Sequence, residues 1–327
     1  MLVFVVGTGR CGSTPVVEAI ARHRDVGFIS NVDDKLSRLD LAGRWNNALH
    51  RLSGPRDPRL RPLRDGRQLL EKGRLRLGPS EGWTVLDRQV APIFSTPFRD
   101  LLAEDCTPWL RGRLREFFER RMAAQGRPVF VHHLTGWPRV GFLRAAFEDA
   151  RFIHVIRDGR AVTNSWLQMG WWRGYQGPSA WHLGPLSERD QRAWDSSGHS
   201  FPVLAGLGWR TLIDAFEEAR TAVPRDNWLE LRYEDLLDDP RAEVARIADF
   251  VGLRWDLDYE SQFARCRFES RRVDAFRRDL APGDVAALDT VIGPTLRAYG
   301  YATDVTPVGA DAASDWTAAP ERIRRAG

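Results

Sequence analysis

Lysine is almost missing from this chain. It occurs only at Lys35 and Lys72, so 46 of the 48 basic residues are arginine. A GC-rich bacterial genome accounts for that bias without a functional cause, but it has a consequence: any catalytic cation here is expected to be an arginine. Cysteine is equally sparse. Cys11, Cys106 and Cys266 are odd in number and far apart, which excludes a disulfide framework and a paired zinc-ligand set. No apolar run approaches the ~20 residues of a membrane span, and no basic segment precedes the apolar start at Leu2. No internal repeat is visible. The formal net charge of +4 is spread along the chain rather than gathered in a stripe, which argues against nucleic acid as a partner. These absences give the expectation of a reduced, cytoplasmic protein with no membrane span and no metal.

What is present is concentrated in the first fourteen residues. The apolar run Leu2–Val6 breaks into Gly7-Thr-Gly-Arg-Cys-Gly-Ser-Thr14, and a helical pattern follows. Strand, glycine-rich turn and helix N-terminus make a cradle for phosphate, because glycine lets the backbone approach an anion and the N–H groups point at it. The spacing Gly7-x-x-x-x-Gly12-x-Thr14 matches a Walker A loop at every place but one. Ser13 stands where that loop carries its lysine, and the cation has moved inside the turn to Arg10.

Further along, Val26–Ile29 reads as a second strand. Residues 30–82 form an irregular stretch rich in Arg, Gly and Pro, with weak helical patches. Residues 109–124 place Leu110, Leu114, Phe117, Phe118 and Met122 at helical spacing. Strands follow at Pro128–His133, Arg151–Ile156 and Trp228–Arg232, with helices at Val140–Glu148, Ala161–Met169, Val203–Ala222, Pro240–Val251 and Asp284–Tyr299. Residues 170–202 read as a lid or insertion. Strands alternating with helices predict an α/β fold: one parallel sheet of four to five strands, flanked by helices, in a single domain over 1–302 with a loose tail at 303–327.

A second constellation lies where the fourth strand ends, at Arg157-Asp-Gly-Arg-Ala-Val-Thr-Asn-Ser165. The arginine fork at the strand end and the Ser165 hydroxyl on the next helix can converge on one anion. Two anion sites on one sheet suit a ligand with phosphate at both ends. With both motifs in this order, the chain resembles the sulfotransferases that use 3′-phosphoadenosine 5′-phosphosulfate (PAPS), closest in character to their Golgi-like and bacterial branch. Leu231-Arg-Tyr-Glu-Asp-Leu236 and Leu296-Arg-Ala-Tyr-Gly-Tyr301 resemble further family segments. The resemblance implies a P-loop-like fold and PAPS as donor, leaving adenosine 3′,5′-bisphosphate. It implies a 5′-phosphosulfate loop of Gly9, Arg10, Cys11, Gly12, Ser13 and Thr14, a 3′-phosphate site of Arg157 and Ser165, and weaker candidates in Arg271 and Arg272. It also implies that Arg10 stabilises charge on the oxygen bridging sulfur and phosphate. A sulfuryl donor carries less charge than a triphosphate, so one loop cation serves without Mg²⁺. Arg157 beside Asp158 is a poor setting for a metal ligand.

Transfer to a hydroxyl acceptor needs a base within reach of its proton. Two sets are on offer. His133, at the end of the third strand with His132, comes first by resemblance to the family's cytosolic members. Asp34, with Asp33, comes next by resemblance to the Golgi type. Trp166, Trp171, Trp172, Trp181 and Trp194 crowd one stretch. Trp166 reads as core, while Trp171, Trp172 and Trp181 fit core packing or an aromatic platform for the acceptor equally well. Tyr233-Glu-Asp235 reads as the anchor of a strand–helix junction. Two alternatives stay open: an atypical P-loop kinase, marked by Mg²⁺-dependent ATP turnover, and a catalytically silent nucleotide-binding protein. The acceptor's identity and the oligomeric state are not legible.

Overall fold

Six consecutive buried residues, Leu2–Gly7, form the first strand, β1, and the rest of the molecule is arranged around it. A computed structural model describes residues 1–39, 41–53 and 77–303. Residue 40, the stretch 54–76 of the irregular segment and the tail from 304 lie outside the described residues. The other strands are β2 (Val26–Phe28), β3 (Val129–Thr135), β4 (Arg151–Ile156) and β5 (Trp228–Arg232). They pair in the order β2-β3-β1-β4-β5, and every pairing is parallel. This is the expected α/β class.

A parallel sheet is covered on both faces, so its central strands read as unbroken apolar runs. Alternation then splits each run between two cores. Leu2, Phe4 and Val6 pack on one face with Phe117, Phe118, Phe142 and Phe216, whereas Val3 and Val5 pack on the other with Val16, Ile20, Val244 and Ile247. The helix after β1 therefore covers one face, and the helices flanking β3 and β4 cover the opposite one. Around the carboxyl end of β1 the connections part to opposite faces. Such a switch point is where an open α/β sheet leaves a crevice.

Local chemistry sets the helix ends. Helix Pro108–Gln125 starts with Thr107 accepting from Leu110 N at 3.3 Å, with proline in the first turn, and stops at Gly126 in the left-handed region (φ 57°). The single helix expected over 284–299 is two, Pro282–Val291 and Gly293–Ala298. Pro294 removes a helical donor and restricts Gly293, so the chain breaks there. Within 170–202 lies an unexpected helix, Glu188–Ser196, capped by Ser187. None of its residues is buried, so it carries no apolar stripe to betray it. Among the described residues no helix is long and apolar enough to cross a membrane.

Candidate functional site

The turn after β1 is held by three consecutive demands on the backbone. Gly9 (φ 80°), Arg10 (φ 59°) and Gly12 (φ 99°) all adopt left-handed conformations, which glycine enters freely and arginine does not. A Cβ on Gly12 would lie 2.1 Å from the ring of Tyr233, so this position admits only glycine without a rearrangement. The Cys11 thiol is fully buried beneath the turn, and burial pushes its pKa up. Helix Ser13–Ala21 begins with no side-chain cap and no acidic residue in its first turn. Its N-terminus therefore presents partial positive charge to the crevice.

Across the crevice, β4 runs out into Arg157. Its guanidinium packs 5.0 Å from the Tyr233 ring and donates to the carbonyls of Arg10 (3.1 Å) and Arg272 (2.8 Å). Helix Gly159–Leu167 then brings Ser165 round, and its hydroxyl accepts from Arg10 Nε at 2.9 Å. Arg10 and Ser165 are 155 residues apart in sequence and in direct contact in the fold. Trp166 Nε1 reaches the Gly9 carbonyl at 3.4 Å. Thus Gly9, Arg10, Cys11, Gly12, Ser13, Thr14, Arg157 and Ser165 form one assembly. Arg272 joins it through its carbonyl, with its exposed side chain reaching Gln168 (3.4 Å), while Arg271 is exposed beside it. Asp158 does not face the crevice: its carboxylate binds Arg160 at 2.7 and 3.1 Å.

Of the second wall, only His133 was read from the sequence. Glu81, in a turn before helix Trp83–Gln89, accepts from Thr135 Oγ1 and, at 3.0 Å, from Trp83 Nε1. Thr135 ends β3, opposite Gly7 of β1, and lies 3.6 Å from where a Cβ of Gly9 would stand. Glu81 is therefore brought to the glycine-rich turn after β1. His133 Nε2 stands 3.9 Å from Glu81 Oε1, too far for a hydrogen bond but close enough for charge to matter. The His133 side chain is 5% exposed and that of Glu81 29%. His132 points into the core against Phe4 and Phe118, with neither ring nitrogen bonded, and burial holds its pKa well below the ordinary histidine value.

Behind this wall stands Arg139. Its guanidinium lies 5.1 Å from the Trp83 ring and donates to the carbonyls of Thr135 (3.1 Å), Trp137 (2.5 Å) and Phe94 (2.9 Å). Asp33 and Asp34 each hold part of the frame. Asp33 closes a capping box on Ser30 and accepts from Asn46 at 2.6 Å, while Asp34 accepts from Val85 N at 3.0 Å. Of the tryptophans, Trp166, Trp172 and Trp181 are buried and Trp171 is 51% exposed. The signal for Glu81 was faint: an acid beside a glycine in a segment without periodicity.

Comparison with known proteins concerns the chain as a whole. Two curated relatives share 28% identity with parts of the chain. One is the omega-hydroxy-beta-dihydromenaquinone-9 sulfotransferase Stf3 of Mycobacterium bovis, matched over 46% of this chain and 33% of that protein. The other is the human carbohydrate sulfotransferase 2, matched over 50% of this chain and 34% of that protein. The matched regions thus span about a third of each relative's length. In solved structures, sulfotransferase STF9 from Mycobacterium avium superimposes with a TM-score of 0.51 at 16% identity, over 93% of this chain and 78% of that one, which shows a shared fold. The profile of the Sulfotransferase family matches residues 3–257, from β1 through the crevice to β5 and the helices beyond it, and the chain belongs to that family.

Proposed function

We propose that this protein moves the sulfuryl group of PAPS to a hydroxyl of a carbohydrate, lipid or small natural-product acceptor, by in-line transfer without a metal. The contact between Arg10 and Ser165 carries the reading, since it joins the glycine-rich turn to the helix of the Arg157 motif. The left-handed turn, the uncapped helix N-terminus and the Arg157 fork fit an adenosine nucleotide charged at both ends. When bound, the donor supplies an electrophilic sulfur with a bisphosphate leaving group.

The chain's own residues divide the remaining work. Arg10 neutralises charge growing at the 5′ end, and Arg157 and Ser165 hold the 3′-phosphate. Glu81 is assigned the base. Both its oxygens accept hydrogen bonds, which fixes its aim, and it is more accessible than His133. His133 stands behind it as the nearest second basic group. The names of the two relatives, one for an omega-hydroxylated menaquinone and one for a carbohydrate, point to hydroxyl-bearing acceptors of different kinds.

The test is an acceptor panel incubated with sulfur-labelled PAPS in EDTA. Transfer of label that persists in the chelator is the expected result. ATP turnover that requires Mg²⁺ would instead establish a kinase, and bisphosphate binding without transfer to any acceptor would establish a silent binding protein.

A further inference from the structure

The family match ends at residue 257, yet the last described segment returns to the donor motif. Leu288 and Leu296 of helices Pro282–Val291 and Gly293–Ala298, with Ile292 at the joint between them, share one apolar core with Val162 and Trp166 of the helix that carries Ser165. Two contacts then reach the turn that opens that helix. Arg160 donates to Asp289 Oδ1 and to the carbonyl of Ala302, both at 2.9 Å. Tyr301 donates its hydroxyl to Glu234 Oε2 at 2.8 Å, and Glu234 Oε1 accepts the backbone N–H of Asp158 at 3.1 Å. Glu234 follows Tyr233, whose ring flanks Arg157, and Asp158 is the residue after Arg157.

We propose that Glu234 and Tyr301 are positioning residues for Arg157, so that recognition of the donor's 3′-phosphate depends on a hydrogen-bonded relay from the C-terminal segment. The inference rests on the donor reading above. Arg157 is buried and spends one donor each on the carbonyls of Arg10 and Arg272, which leaves little room to re-aim its fork if the peptide behind it turns. Glu234 fixes that peptide by taking its N–H, a group that would otherwise be left unpaired. Tyr301 fixes Glu234. Burial, with Glu234 beside it, raises the Tyr301 pKa well above the ordinary phenol value, so the hydroxyl remains a donor. The Arg232 guanidinium, 4.6 Å from the Tyr301 ring, holds the ring in place.

The experiment compares adenosine 3′,5′-bisphosphate with adenosine 5′-monophosphate by titration calorimetry on wild type, Tyr301→Phe, Glu234→Ala and Glu234→Gln, with thermal unfolding as the control for folding. Tyr301→Phe should weaken the bisphosphate about five- to tenfold and leave the monophosphate unchanged. Glu234→Ala should lose more. Glu234→Gln, which keeps a carbonyl for the Asp158 amide, should recover part of the preference. A preference for the 3′-phosphate that survives in both Tyr301→Phe and Glu234→Ala overturns the relay alone, as does an equal loss for both nucleotides. A wild type with no preference overturns the donor reading and the relay with it. If Glu234→Ala does not fold, Tyr301→Phe decides.

Discussion

On the proposed donor side of the crevice, the groups follow directly on two strand ends: Gly9 to Thr14 after β1, and Arg157 to Ser165 after β4. On the proposed acceptor side, Glu81 comes from the loop just before helix Trp83–Gln89 and is aimed by Trp83 two residues on and by Thr135 at the end of β3, with Arg139 against the Trp83 ring. The first wall is a product of topology, because adjacent parallel strands put their carboxyl ends side by side. The second is a product of tertiary wiring that meets the sheet at the end of β3. A fold of this kind can keep one donor while changing what it modifies.

If that division is right, substitutions on the two walls should fail in different ways. Glu81→Gln removes the base and keeps the shape; sulfuryl transfer should fall ~10²–10⁴-fold with bisphosphate affinity unchanged. Arg10→Ala should lower turnover ~10²–10³-fold for every acceptor alike, since it acts on the leaving group. Acceptor-dependent losses in that variant would blur the distinction between the walls. Arg157→Ala should weaken bisphosphate binding about ten- to a hundredfold with little effect on the monophosphate, read by calorimetry.

Gly12→Ala must accept a left-handed φ and a collision with Tyr233. It should cost stability by at least ~1–2 kcal/mol in denaturant unfolding and reduce donor binding as the turn shifts. The smallest effect is on the supports of the acceptor wall. Asp100 accepts from Arg139 N at 2.7 Å, and burial raises its carboxyl from 3.8 to about 6. A raised folded pKa gives stability that is present below the unfolded value and lost as pH rises through about 6. Asp100→Asn keeps the acceptor for Arg139 and cannot ionise, so its unfolding midpoint should hold steady between pH ~4 and ~6 where that of wild type declines.

How far each wall could be read in the sequence follows from the same difference. The strands were visible because they are short apolar runs, and Arg10, Arg157 and Ser165 because they punctuate the ends of those runs. Strand order was not visible, nor was the contact of Arg10 with Ser165, since both depend on which strands become neighbours. Reading β3 to end at His133 stopped two residues short of Thr135, the residue that holds Glu81. Asp33 and Asp34 have the right chemistry beside the right strand, yet their carboxylates are occupied by Ser30, Asn46 and Val85. A carboxylate's partners are a tertiary property, set here by the neighbours of Ser30 and by the start of helix Trp83–Gln89. Trp172 and Trp181 looked as much like a platform as like core; both are buried, and it is Trp171 that reaches solvent.

The most direct measurement of the division is bisphosphate affinity and single-turnover transfer of labelled sulfate, taken side by side on Glu81→Gln and Arg157→Ala. Glu81→Gln is predicted to bind as wild type does and to transfer at least ~10²-fold more slowly, while Arg157→Ala binds weakly. Transfer undiminished in Glu81→Gln, or a parallel collapse of its donor affinity, would contradict the account.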